Sequence, residues 1–301
     1  MESWVFIAVA AAAFQTLRFM LQKQLSMGTL STGGSTFSRF FYSVPFISVL
    51  AIGYALIKGH GVPDLSGMFW LYAIIGGLSQ ILATWCVVAL FQQRNFAVGI
   101  TFKKTEVLLT AFVGLIILGD TISLTGFIAI FLGLLGVLVL SQKPGDVNGS
   151  FLSGIVNAGS GLGILSGIFF AFSAVGYRGA TLEILNADPL YRSSMSLMLV
   201  TIGQTLGMMV WLKLREPGEI LRVVAARKTA VWMGITGMAG SLCWFTAFTL
   251  QNAAYVFAVG QIEVIFSLVA SALFFREVIT RKEITGIALI TTSILCLVVF
   301  G

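Results

Sequence analysis

The sequence predicts an all-α, polytopic membrane protein with ten transmembrane helices arranged as two inverted five-helix repeats. Three observations carry that expectation. Hydrophobic residues fill 57% of the 301 positions and charged residues only 10%, with a mean hydropathy of +0.98; soluble domains are about one quarter charged. The apolar runs are roughly 20 residues long, enough for a helix to cross about 30 Å of hydrocarbon and too long for barrel strands. Finally, Asn95, Glu106 and Asp120 recur as Asn252, Glu263 and Glu277, at the same spacings and a constant offset of 157. Such a repeat fixes architecture before any single helix does.

The first helix, 4–24, follows Glu2 rather than a basic segment and stays helical in pattern through Leu25, so it reads as a spanning helix and not a cleaved signal. Helices follow at 34–57, 67–91, 96–118 and 122–140. Ser141 to Ser160 then contains Pro144-Gly145-Asp146 and Asn148-Gly149-Ser150, the longest polar break in mid-chain and the natural linker. This divides the chain into a first repeat at 1–140, a linker at 141–160 and a second repeat at 161–301. The second repeat carries helices at 161–184, 190–212, 229–250, 254–275 and 284–300. Five helices per unit is an odd number, so the second unit enters the membrane in the opposite sense.

Glycines at helical spacing, including Gly159, Gly163 and Gly167, Gly203 and Gly207, and Gly133 and Gly136, predict close helix packing, with hinge motion as the sharper alternative. Cys86, Cys243 and Cys296 fall inside apolar runs without ligand spacing and read as buried free thiols. Ten basic residues lie in loops after odd-numbered helices, whereas Lys58 alone follows an even-numbered one. By the positive-inside rule the odd loops face the cytoplasm and both termini lie outside. Membrane topology therefore explains the pI of 9.4, and no nucleic acid is implied.

Seven basic residues remain within or at the ends of helices: Arg18, Lys23, Arg39, Lys103, Lys104, Arg178 and Arg192, accompanied by Glu106, Glu183 and Glu263. A charge at the bilayer centre costs about 2.5–3.5 kcal/mol, so such residues face a bundle interior or wet cavity and mark a pathway. Lys23, Arg39, Arg192 and Glu183 read as helix-end residues that snorkel. Lys103 and Glu106 are three apart and can pair on one face. Glu263 has no basic residue within four positions, so its partner is another helix, water or a substrate, and it is the candidate for proton coupling. A Glu kept protonated against a neighbouring helix is the bland alternative.

Gln80, Thr84 and Trp85 share one face of helix 3, and helix 8 offers Trp244, Phe245 and Phe248; such stripes serve packing or form an aromatic wall for an organic ligand. The candidate substrate-binding set is Arg18, Gln80, Trp85, Lys103, Lys104, Glu106, Arg178, Trp244 and Glu263. An enzyme is not expected. His60 is the sole histidine, no Walker A sequence occurs, and Ile117-Leu118 precede Gly119-Asp120, breaking the GxGD pattern of intramembrane aspartyl proteases. No cofactor or metal is expected.

Leu118-Gly119-Asp120 … Thr125-Gly126 and Phe275-Arg276-Glu277 … Thr285-Gly286, each closing a five-helix half, resemble the EamA-type repeat of the drug/metabolite transporter superfamily. The resemblance implies secondary transport of a small organic solute by alternating access. Amino-acid and metabolite export across a bacterial inner membrane is the commonest role, and nucleotide-sugar or sugar-phosphate exchange occurs elsewhere in the superfamily. Those repeats usually carry a proline where this chain has Val107 and Val264, and members studied as amino-acid exporters have cytoplasmic termini, opposite to the charge bias here. The helix charges predict a net positive cavity, hence an anionic or zwitterionic metabolite such as an amino acid. A multidrug or organic-cation exporter is the alternative, and a non-transporting scaffold or receptor a lower one. The expected partners are the substrate and the bilayer, with the chain a monomer or homodimer.

Overall fold

A computed structural model describes residues 2–28, 30–91, 103–140, 158–266 and 281–300. Asn95, Glu277 and most of the expected linker lie outside these residues. The described chain forms α1 (Ser3–Gly28), α2 (Thr32–Phe41), α3 (Val44–Lys58), α4 (Gly67–Phe91), α5 (Glu106–Leu118), α6 (Leu124–Leu140), α7 (Ala158–Glu183), α8 (Pro189–Arg215), α9 (Glu219–Ala225), α10 (Arg227–Leu250), α11 (Ala253–Gly260) and α12 (Arg281–Phe300). Six spans among the described residues are long and apolar enough to cross a membrane, and Glu106–Leu118, Leu124–Val139, Ala253–Phe266 and Ile284–Leu297 are shorter apolar helices. The protein is an all-α, multi-pass integral membrane protein.

Where sequence periodicity predicts one helix over 34–57, the structure has two. Tyr42 caps α2, and Pro45, which has no N–H to give, sits in the first turn of α3 where none is needed. The basic loop after helix 7 contains the short helix α9.

The two carboxylate-bearing helices are interrupted directly ahead of their glutamates. Lys104 and Thr105 form a turn before α5 starts at Glu106; α11 stops at Gly260, Gln261 forms a turn, and helix resumes as far as Phe266. Lys104 and Gln261 stand 157 apart, so the breaks occupy matching positions although neither helix has the family's proline. Glycine makes room at each. A Cβ on Gly167 of α7 would lie 3.1 Å from the Lys103 carbonyl and the Thr105 hydroxyl, and one on Gly260 would meet the Trp244 ring at 2.4 Å.

α4 packs along α7, α1 along α10 and α6 along α12, while α5 rests on α7 and α11 on α1. Gly76 and Gly176 allow the α4–α7 approach, since a Cβ on Gly176 would sit 2.9 Å from the Gly76 backbone. Gly203 and Gly207 correct the expectation of packing: a Cβ on either meets nothing within 4 Å. They face open space on α8. Of the cysteines, Cys86 is buried, but Cys243 and Cys296 are only half-buried.

Candidate functional site

Glu263 is held by groups from two other segments of the chain. Its Oε2 accepts from Lys104 Nζ at 3.0 Å and from Gln15 Nε2 at 2.9 Å. The Gln15 amide oxygen in turn accepts the Trp244 indole N–H at 3.0 Å. Of the partners expected for Glu263, another helix, water or a substrate, the structure supplies the first: Lys104, from the interrupted entry to α5. Lys103 Nζ donates to Glu106 Oε1 at 2.8 Å, as their spacing predicts, and lies 4.7 Å from the centre of the Phe170 ring. Glu106 Oε2 is buried and finds no hydrogen-bond partner among the described residues.

Two arginines lie in the same interior. Arg18, 2% exposed, donates from Nη1 to Gln22 at 2.7 Å, and its buried Nη2 finds no partner among the described residues. Arg39, 4% exposed, donates to the hydroxyls of Thr84 at 2.8 Å and Ser241 at 3.2 Å. Among the described residues no carboxylate stands within ion-pair distance of either one. Both side chains border Gly237 of α10, where a Cβ would lie 3.2 Å from Arg18 Cδ and 3.4 Å from Arg39 Cγ. Sequence reasoning discounted Arg39 as a helix-end residue. The break between α2 and α3 turns it inward, and only that break could have signalled it. Counting Arg18, Arg39, Lys103 and Lys104 against Glu106, Glu219 and Glu263, the buried charged side chains described are net positive.

Arg178 is placed elsewhere. Its Nε and Nη2 grip Asp120 at 2.9 and 3.2 Å, and Nη1 donates to the carbonyls of Phe248 and Gln251 at 2.6 and 2.9 Å. The guanidinium clasps the exit of α5 and caps the C-terminus of α10, leaving little to offer a solute.

Gln80 and Trp85 part company. Gln80 accepts from the Tyr177 hydroxyl at 2.6 Å and from Gln204 at 3.1 Å, and it lines a space of about 10 Å³ beside Arg39. Trp85 meets Trp211 edge to face at 4.9 Å, in an apolar groove of about 530 Å³ between α4 and α8. Trp244 stands with neither, closing the Gln15–Glu263 chain. The aromatic wall expected from helices 3 and 8 is therefore divided among three places. Gln15 and Gln204, which join these groups, escaped sequence reasoning; a lone amide in an apolar helix was the available signal.

Both ends of the bundle are tied. At one, Glu219 and Glu216 accept from the Ser31 backbone N–H at 2.6 Å and its hydroxyl at 2.5 Å. At the other, Asp188 accepts the Tyr54 hydroxyl at 2.6 Å and stands 3.6 Å from His60 Nε2. Ser31 and Asp188 are the N-caps of α2 and α8, again 157 apart. Burial works against charge on Asp188, but the Tyr54 hydroxyl, the Tyr191 and Leu190 N–H groups and His60 outweigh it and hold the carboxyl below its ordinary range.

Residues 157–299 match the model of the EamA-like transporter family. A solved crystal structure superposes with a TM-score of 0.68 at 14% identity, covering 98% of this chain and 96% of its own. It is one of 28 matching solved chains, and at that identity it shows the shared fold alone. No curated protein matches the sequence.

Proposed function

We propose, from the match of residues 157–299 to the EamA-like transporter family, that the protein is a secondary active exporter of a small anionic or zwitterionic metabolite such as an amino acid. The observation that carries this reading is the pair of buried arginines that have no carboxylate at ion-pair distance among the described residues, one with an Nη2 that none of those residues partners, beside the Lys104–Glu263 pair. A cation in low dielectric is stabilised by an anion or a well-formed hydrogen-bond set. A carboxylate or phosphate entering here meets Arg18, while the amine of a zwitterion, or a coupling proton, competes with Lys104 for Glu263. A lipophilic cation would face like charge at a cost of several kcal/mol.

The two halves act in this proposal as inverted repeats of five spanning helices each, in a bacterial inner membrane. Exchanging halves turns the α4–α7 contact into α10–α1, a pattern that supports the division. Interrupted helices meeting at their repeat interface are the usual setting of a midplane substrate site.

The test is counterflow in proteoliposomes loaded with unlabelled amino acids, organic acids or phosphorylated metabolites. The expected result is exchange of one of these classes, lost in Arg18→Gln, with Glu263→Gln abolishing proton-driven uptake and sparing exchange. Tight binding of quaternary ammonium compounds that Glu263→Gln removes and Lys103 or Lys104 changes leave intact would overturn the anion reading in favour of a cation exporter.

A further inference from the structure

The groove between α4 and α8 plays no part in the reading above. It holds about 530 Å³ and is lined almost wholly by apolar groups, with Trp70, Trp85 and Trp211 among them. Ile74, Leu78 and Leu82 on its α4 wall are exposed, so it opens sideways toward hydrocarbon rather than toward either end of the bundle. On α8 its floor is Gly203 and Gly207, whose missing side chains leave that space unfilled. A volume in this range with a small number of polar groups suits a single organic ligand.

One polar residue joins the groove to the interior. Gln204 belongs both to the groove wall and to the small space beside Arg39. Its amide NH2 stands within hydrogen-bond distance of three acceptors and shares its two protons among them: the Gly77 carbonyl at 2.9 Å, Gln80 at 3.1 Å and the Tyr177 hydroxyl at 3.1 Å. Rotating that amide connects an apolar trough to a buried guanidinium whose contacts are two neutral hydroxyls. Apolar length followed by a positive charge is complementary to an amphiphile with one chain and one negative head.

We propose that this groove is a lateral binding site for a single-chain anionic amphiphile drawn from the bilayer, a long-chain carboxylate being the simplest. Its chain lies over Gly203 and Gly207 between the three tryptophans, and its head displaces the Gln204 amide to reach Arg39. A small hydrophilic anion lacks the chain and is not retained, and a neutral lipid lacks the charge and is held more weakly.

The tryptophans supply the assay. With the full chain in zwitterionic nanodiscs, 9,10-dibromostearate quenches Trp70, Trp85 and Trp211 on binding. The expected result is saturable quenching, with the methyl ester at least tenfold weaker and acetate unable to compete. Arg39→Gln should raise the half-quenching concentration of the acid at least tenfold and leave that of the ester unchanged. Gly203→Leu, which fills open space without touching the fold, should remove saturable quenching by both. Equal potency of acid and ester, undiminished quenching in Gly203→Leu, or full competition by acetate would each overturn the proposal. Because Arg18 and Glu263 are not involved, Arg18→Gln should quench as the parent does, which separates failure here from failure of the exporter reading.

Discussion

Arg178 and Arg18 are alike in sequence, each a lone arginine in an apolar helix, and opposite in circumstance. Arg178 spends its fork on both oxygens of Asp120 and its remaining amine on two carbonyls at the end of α10. Arg18 Nη2 finds no partner among the described residues, and its guanidinium lies 4.2 Å from the centre of the Phe19 ring. The difference teaches that a charge within the membrane stabilises the fold only when its hydrogen-bonding capacity is filled. An arginine left incompletely paired is held at a cost by the rest of the structure, which is what a binding group requires.

The sharpest way to break the comparison is Arg178→Ala. It leaves Asp120 without its partner and uncaps α10; the pair is partly buried, so the loss stays below the about 3–5 kcal/mol of a fully buried one. A large drop in the thermal midpoint in detergent is expected, and Arg178→Lys should recover only part of it because the two-pronged grip is lost. A midpoint unchanged in Arg178→Ala would remove the clasp from the argument.

Arg18→Met should behave in the reverse manner. With no acid to abandon and a desolvated charge removed, the midpoint should hold or rise, while affinity for the transported anion falls about tenfold, or about 1.4 kcal/mol. A drop comparable to that of Arg178→Ala would make Arg18 structural too.

Glu263→Gln lies between them. Lys104 loses its counter-charge, but Gln15 can still bond the new amide, so a smaller loss of stability than in Arg178→Ala is expected, together with the loss of proton-driven uptake. Adding Lys104→Met should restore stability and leave transport absent. Additive losses in the double variant would show that the two side chains do not interact.

The smallest effect belongs to the same logic outside the bilayer. Asp188 has a lowered folded-state pKa, so its contribution to stability is complete above the ordinary Asp value of about 3.9 and is lost as pH falls through the lower folded value. Asp188→Asn still caps α8. It should cost only about 2 °C near neutrality and flatten the decline of the thermal midpoint below about pH 4. An unaltered acid limb would assign the decline to other carboxylates.

Composition and run length alone establish an all-helical membrane protein, because hydrocarbon tolerates no unsatisfied backbone and few charges. The matched acids 157 apart point to a repeated unit, and the spacing of Lys103 and Glu106 gives their ion pair, since both facts are local or periodic. The sequence by itself could not pair Lys104 with Glu263, separate the filled arginine from the unfilled one, or turn Arg39 inward. Those depend on where the chain breaks its helices and on which faces meet across more than a hundred residues. Gly203 and Gly207 show the same limit: glycines three and four residues apart promise packing or empty space equally well, and only a neighbouring helix, by standing close or standing away, decides which.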